Sequence, residues 1–368
     1  MKTKIVAALA VFCFIAVMAV PAEQADAAEG TGYVSQLDAN GQSVYAQVTE
    51  SFATEINSSS PKSELNLFVY FPDPVIFSTE EEAQVYAVNA VNSALAAIYY
   101  KDAEAVWLWD LPVTAPEITV NCGEVQVSGS GSTTSESYFM PQSATFKLSV
   151  PADVADDPST AENETIQIIQ KLRDARSEVT GDLSQKVQAI ADSLRSVRVV
   201  DDEEGSVSNA YDALVGRSSS SAGIAAAFTY LCAYNQVDAV TVKGTVVTNS
   251  DGDTATGYWN AVHDGESVWY AADITVYNGE DRSPLLAGTS TLVGLSSGNA
   301  TRGFGSTHVA DLDLASPNSL EPVRVSVTGY DWPDDRGFLE KWGAHVVVVI
   351  LVAIVAAVML YAVRTGNI

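Results

Sequence analysis

Nucleophilic and metal chemistry draw mainly on cysteine and histidine, and this chain holds three of each. Cys13 lies in an apolar N-terminal run without lipobox flanks, so lipidation there is not expected. Cys122 and Cys232 remain. In an oxidising compartment they could form one disulfide, or both could be buried free thiols; their separation fits no disulfide framework. No C-x-x-C or H-E-x-x-H occurs, so neither a metal site nor a cofactor is implied. Of the histidines, His263 belongs to the turn His263-Asp264-Gly265-Glu266 and is expected to face solvent, and His345 falls in a C-terminal apolar run. His308 is the third. Serine is abundant, with runs at 58–60 and 218–221, but a serine hydroxyl is un-ionised at neutral pH and needs a general base beside it. Asn57, Asn163 and Asn299 each open an N-x-S/T acceptor sequon.

The elements that must position such residues follow from periodicity and punctuation. Residues 38–56 read as a helix with Val44, Val48 and Phe52 on one face. Leu65–Phe71 alternates as a strand. Ser78-Thr79 before Glu80, Glu81 and Glu82 is an N-cap with an acidic first turn, opening a helix that runs to about Tyr100. Aromatic-rich Val106–Leu111 reads as a strand, followed by strands at about 118–127 and 139–150 around a Gly/Ser-rich turn. Residues 151–161, rich in Asp, Pro and Ala, mark a boundary. Helices are expected at about 160–178 and 183–197, separated by Thr180-Gly181-Asp182, a stop-and-cap pair. After the acidic stretch 201–209, Ser221–Asn235 reads as a helix of small and apolar residues, and Cys232 on it reads as core packing. Strands Val240–Thr248, Gly257–Val262 and Val268–Ala272 follow, the last two joined as a hairpin.

The two ends are apolar. Lys2 and Lys4 precede the run Ile5–Val20, and Ala25-Asp26-Ala27 supplies a small-x-small cleavage site, so residues 1–27 read as a secretory signal peptide; the alternative is an N-terminal anchor. Residues 344–363 carry no charge and match a bilayer core at ~1.5 Å per residue, so they read as a single transmembrane helix. The orientation expected is ectodomain outside, with Arg364 on the inner side. The chain carries −27; its leader is neutral and Lys341 and Arg364 add two positive charges beyond the ectodomain, so residues 28–340 carry about −29. Such a surface disfavours nucleic acid and anionic headgroups and favours basic partners.

The helix at 221 and the strands after it carry a specific pattern. Ser221-Ala222-Gly223-Ile224-Ala225 is followed by a strand containing V-x-G, then by Gly257-Tyr258-Trp259-Asn260, then by Trp269-Tyr270-Ala271-Ala272-Asp273. This resembles the transglutaminase-like (papain-like) superfamily, whose core helix opens with C-x-G-x-A and whose strands carry H-A-W-N and W-Y-x-x-D. The helix KVQAIADSLRSVRVV and residues 286–310 resemble the flanking segments of cell-surface members, and specific resemblance spans about 183–310.

The resemblance implies an α+β fold, a papain-like core with a helix packed on an antiparallel sheet, preceded by an α/β N-terminal region. The expected organisation is signal peptide 1–27, N-terminal region 28–150, transglutaminase-like domain 160–310, juxtamembrane segment 311–343 and transmembrane helix 344–363. It also implies a loss of chemistry. The family's Cys and His positions hold Ser221 and Gly257, and only the Asp, Asp273, is kept. His263 is six residues along the strand from 257, roughly 20 Å away at ~3.3 Å per residue. His308 lies beyond the core strands and matches a non-catalytic position. Asp273, with no imidazole to orient, is expected to cap a turn or bond Thr275. The reading is therefore a membrane-anchored extracellular protein with vestigial triad positions Ser221, Gly257 and Asp273 and no catalytic residue. Its expected partners are the membrane, through the C-terminal helix, and a cell-surface peptide, glycan or protein, in binding or envelope assembly. The alternative is a hydrolase or acyltransferase using Ser221.

Overall fold

The computed structural model describes residues 32–128, 135–151, 160–201, 207–295, 300–312 and 320–333. The expected signal peptide, the boundary at 152–159 and the 344–363 segment lie outside them. Among the described residues no helix is long and apolar enough to cross a membrane.

The N-terminal half places two helices against one face of a sheet. A short helix α1 (Tyr33–Gln36) leads into α2 (Ala39–Ile56), where the Asp38 side chain accepts from the Gly41 N–H at 2.7 Å and fixes the helix start. Val44, Val48, Phe52 and Ile56 are buried at helical spacing. Strand β1 (Glu64–Tyr70) buries Leu65, Leu67 and Val69 in strict alternation. Helix α3 (Glu80–Tyr99) opens with a capping box in which Thr79 and Glu82 satisfy each other's backbone N–H groups. Its many alanines let it sit close beneath the sheet. Residues 106–111 differ from the expected strand: Val106–Leu108 is a 3-10 turn. Val106, Trp107, Leu108 and Trp109 are all buried, so no alternation exists to hold an extended strand. The indoles instead bond the Lys62 and Ala103 carbonyls, at 2.8 and 3.2 Å. Strands β2 (Ile118–Ser128) and β3 (Ser135–Ser149) complete an antiparallel sheet of order β1-β3-β2, with a bulge at Asn121/Cys122.

The second half begins with α4 (Ala161–Asp174), which stops four residues before the expected end, and α5 (Leu183–Leu194). Gly181 takes φ +125°, and Asp182 and Gln185 form the capping box that starts α5. Two-residue strands β4 (Arg198–Val199) and β5 (Ser218–Ser219) pair in parallel on either side of a π-turn at Asp212–Gly216. Helix α6 (Ser221–Tyr234) is buried along most of its length, with Phe228, Leu231 and Cys232 inside. Each large apolar side chain so buried contributes about 1.5–3 kcal/mol. Strands β6 (Ala239–Val247), β7 (Thr254–His263) and β8 (Trp269–Ala272) form an antiparallel sheet. A small hairpin of β9 (Leu292–Gly294) and β10 (Thr301–Gly303) leads through the turn α7 (Phe304–Thr307) to β11 (His308–Ala310). β11 adds to the free edge of β6, giving the order β11-β6-β7-β8.

The fold is therefore α+β, with two separate antiparallel sheets. The described residues from 32 to Tyr330 belong to one compact unit. Its halves are joined by polar contacts: the Tyr33 hydroxyl bonds the Thr241 carbonyl at 3.1 Å and the Thr241 N–H bonds the Tyr100 carbonyl at 2.8 Å. The Arg176 guanidinium meets Glu104 and stacks on Tyr230, whose hydroxyl also donates to Glu104.

Candidate functional site

Ser221 is the first residue of α6. The Ser220 side chain caps the helix by accepting from the Ala222 N–H at 3.2 Å, which leaves the Ser221 hydroxyl free to point sideways. It accepts the N–H of Tyr258 on β7, also at 3.2 Å. That bond ties the helix start to the middle of the sheet. A second tie lies one turn deeper, where the buried Asn260 amide donates to the Ala225 carbonyl and the Thr229 hydroxyl, both at 2.9 Å. Thr229 in turn meets Thr241 at 3.0 Å. These bonds show that Asn260 and Thr241 face α6. Trp259, which alternates with Asn260, therefore faces the other side of the sheet.

Gly257 lies next to Tyr258 on β7, opposite Gly244 on β6. A Cβ added there would overlap Val246 Cγ2. The space that a larger residue would need at 257 is thus filled from the neighbouring strand.

Asp273 follows β8 and is buried, at 2 % exposure. One carboxylate oxygen accepts from the Thr275 N–H at 2.8 Å and the Thr275 hydroxyl at 2.6 Å. The bond to Thr275 follows the sequence expectation, but the rest of the environment corrects it. The other oxygen lies 3.0 Å from His308 Nε2, so Asp273 does orient an imidazole. His308 opens β11, opposite Val246. Its ring stacks on Phe304 at 3.8 Å between centroids and meets the edge of Trp259 at 5.1 Å, on the sheet face away from α6. Its second nitrogen, Nδ1, is 2.8 Å from the Thr307 hydroxyl. A carboxylate only accepts hydrogen bonds, so Nε2 carries the proton. The Thr307 hydroxyl has one proton, shared between Nδ1 and the Phe304 carbonyl, which lies 2.9 Å away; in the imidazolium Nδ1 donates to that hydroxyl. Both ring nitrogens lie against these partners and away from Ser221's helix.

Ser221, Gly257 and Asp273 line one cleft of about 520 Å³, with Asp201, Val246, Thr248 and Thr275 among its walls. The three positions singled out in the sequence are therefore brought together. His308 is not among the residues that line the cleft. Among the described residues, Asp201 and Asp273 are the charged side chains of its walls. His263 sits at the far end of β7, where Nδ1 accepts the Gly265 N–H at 3.2 Å and the ring packs on Trp269. His345 lies outside the described residues. Cys122 and Cys232 are both free thiols, on β2 and inside α6. Burial pushes the Cys232 thiol well above its usual range.

What sequence reading missed is the role of His308. It pairs with a residue 35 positions away through a strand that joins the sheet from the opposite edge. No spacing rule marks such a pair. The one available signal is that Phe304, Thr307 and His308 surround the start of a short strand, which suits burial of the imidazole.

No protein-family model matches this chain, and no curated protein matches it. Among solved structures, a Cytophaga hutchinsonii protein assigned as a cysteine protease is similar at 12 % identity. The match covers 60 % of this chain and 83 % of that one, with a TM-score of 0.25. A likeness that slight carries nothing about the chemistry of this cleft.

Proposed function

We propose that the cleft at the start of α6 is a binding site without nucleophilic catalysis, in a transglutaminase-like domain displayed outside the cell and anchored by residues 344–363. The observation that carries this reading is the engagement of His308. A general base needs a lone pair directed at the proton it removes. Here Nε2 bonds Asp273 and Nδ1 is directed at the Thr307 hydroxyl, so neither nitrogen bonds Ser221, whose hydroxyl accepts from the Tyr258 backbone N–H. The cleft is nevertheless open, and its walls mix hydroxyls and carboxylates with the apolar Val199, Val200 and Val246. That lining suits a peptide segment with hydrogen-bonding groups and no negative charge, presented by a surface partner.

The test uses the purified full chain and its Ser221→Trp variant, which fills the cleft, against an array of basic and neutral peptides. Binding that Ser221→Trp abolishes supports the reading. Covalent capture of Ser221 by a fluorophosphonate would replace it with the serine-hydrolase alternative, and binding indifferent to Ser221→Trp would remove the cleft from the function.

A further inference from the structure

We infer that the outer face of the β1-β3-β2 sheet is a platform for an uncharged glycan. Two large rings stand side by side on it. Phe68 and Tyr70 are 51 % and 61 % exposed, and their centroids are 4.6 Å apart in an edge-to-face contact. They are two residues apart on β1, so both point away from the core that buries Leu67 and Val69. Adjacent exposed rings form an apolar patch, which is informative of a contact site where a single exposed apolar residue is not.

The surroundings of the rings select the class of partner. In register, Phe68 lies opposite Thr145, which lies opposite Thr119 on the next strand. Tyr70 lies opposite Ser143, which is buried, and Ser143 lies opposite Asn121. The exposed positions in register with the rings, Thr145, Thr119 and Asn121, therefore present hydroxyls and an amide. A hydrophobic protein partner would need a contiguous apolar patch. A sugar ring needs this mixture, because its C–H face stacks on an aromatic ring while its equatorial hydroxyls exchange hydrogen bonds with groups in the surrounding plane.

Charge narrows the choice further. The chain carries −27, yet the carboxylate at the end of this face, Glu64, is paired with Lys147 across the strand. An acidic polysaccharide would be repelled by the molecule as a whole, and the positions in register with the rings on β3 and β2 are uncharged, so a basic peptide finds no carboxylate among them. Strand addition by a peptide is also obstructed at this edge: the Gln47 side chain accepts the Tyr70 N–H at 2.9 Å and donates to the Tyr70 carbonyl at 3.0 Å. The occupant lies on the face, and it is neutral.

The experiment is calorimetric titration of the purified full-length chain with cellohexaose, chitohexaose and mannohexaose, with hexagalacturonate as the anionic control. The expected result is binding of at least one neutral hexasaccharide, weakened at least tenfold in both Phe68→Ala and Tyr70→Ala and unchanged in Ser221→Trp. Both ring positions are exposed, so circular dichroism and melting temperature are expected to match the parent chain. The inference is overturned if no neutral hexasaccharide binds at millimolar concentration, if the ring variants bind as tightly as the parent, or if hexagalacturonate binds as well as the neutral sugars. Ser221→Trp separates this site from the cleft, so either reading can fail without the other.

Discussion

His308 sets the energetics of the buried site. Asp273 is enclosed, and a buried carboxylate is tolerated only when it is paired or hydrogen-bonded. Removing the partner of a buried hydrogen-bonded group costs about 1–3 kcal/mol, and more when the group left behind is charged. His308→Ala also opens a gap between Phe304 and Trp259. We expect this variant to lose about 3 kcal/mol or more in urea denaturation, and Asp273→Asn added to it to recover part of the loss, because a neutral amide is cheaper to bury. A loss under about 0.5 kcal/mol would show that the pair does not hold the site. A second residue has the opposite effect. Asp102 lies just past the C-terminal end of α3, where the helix dipole disfavours an anion. Burial, aided by the charge of Glu104, pushes its carboxyl up to about 6. The folded chain therefore binds this proton more tightly than the unfolded chain, whose carboxyl titrates near 3.8. Asp102's stabilising proton is fully held below that lower value and is lost as pH rises through about 6. Asp102→Asn should accordingly stabilise the chain by about 1–2 kcal/mol at pH 7, a gain that shrinks toward zero below pH ~4. A gain equal at both pH values would contradict this. At this scale the sequence was partly readable. The Asp273–Thr275 bond is local and could be anticipated, whereas His308 and Asp102 depend on what the fold stacks around them.

Among the elements, those with strong local signals formed as their residues suggest. Asp38, Thr79 and Asp182 each cap the helix they precede, and the start of α6 falls at Ser221. The strand expected at 106–111 did not form because burial on all sides removed the alternation that defines a half-buried strand, and the two indoles found carbonyl partners in a turn. β11 was illegible for another reason: it is three residues long and gains its strand geometry only from the edge of β6. That edge pairing also explains the glycine at 257. Val246 is held between β7 and β11 and projects into the space above Gly257. Placing histidine there overpacks the strand pair, at a cost of about 1–3 kcal/mol. Gly257→His should therefore destabilise the chain, and Val246→Ala should relieve most of the loss in the double variant. Purely additive losses would mean that Val246 is not the obstacle.

For the molecule as a whole, the architecture is α+β as expected, and positions 221, 257 and 273 line one cleft. The joining of both halves into one compact unit rests on single bonds between distant residues, such as Tyr33 to Thr241, which carry no mark in the sequence. Two faces of this acidic molecule are proposed for recognition: the cleft at the start of α6 and the aromatic outer sheet. Neither proposal requires a nucleophile, and among the described residues no imidazole bonds the cleft's serine. The most direct test is to incubate the full chain with a fluorophosphonate probe between pH 7 and 9 and locate any adduct by peptide mapping. The account predicts no labelling of Ser221 above that of the Ser221→Ala variant at any pH. Stoichiometric modification of Ser221 that disappears in Ser221→Ala would contradict it, because it would require a base that the bonded His308 does not offer.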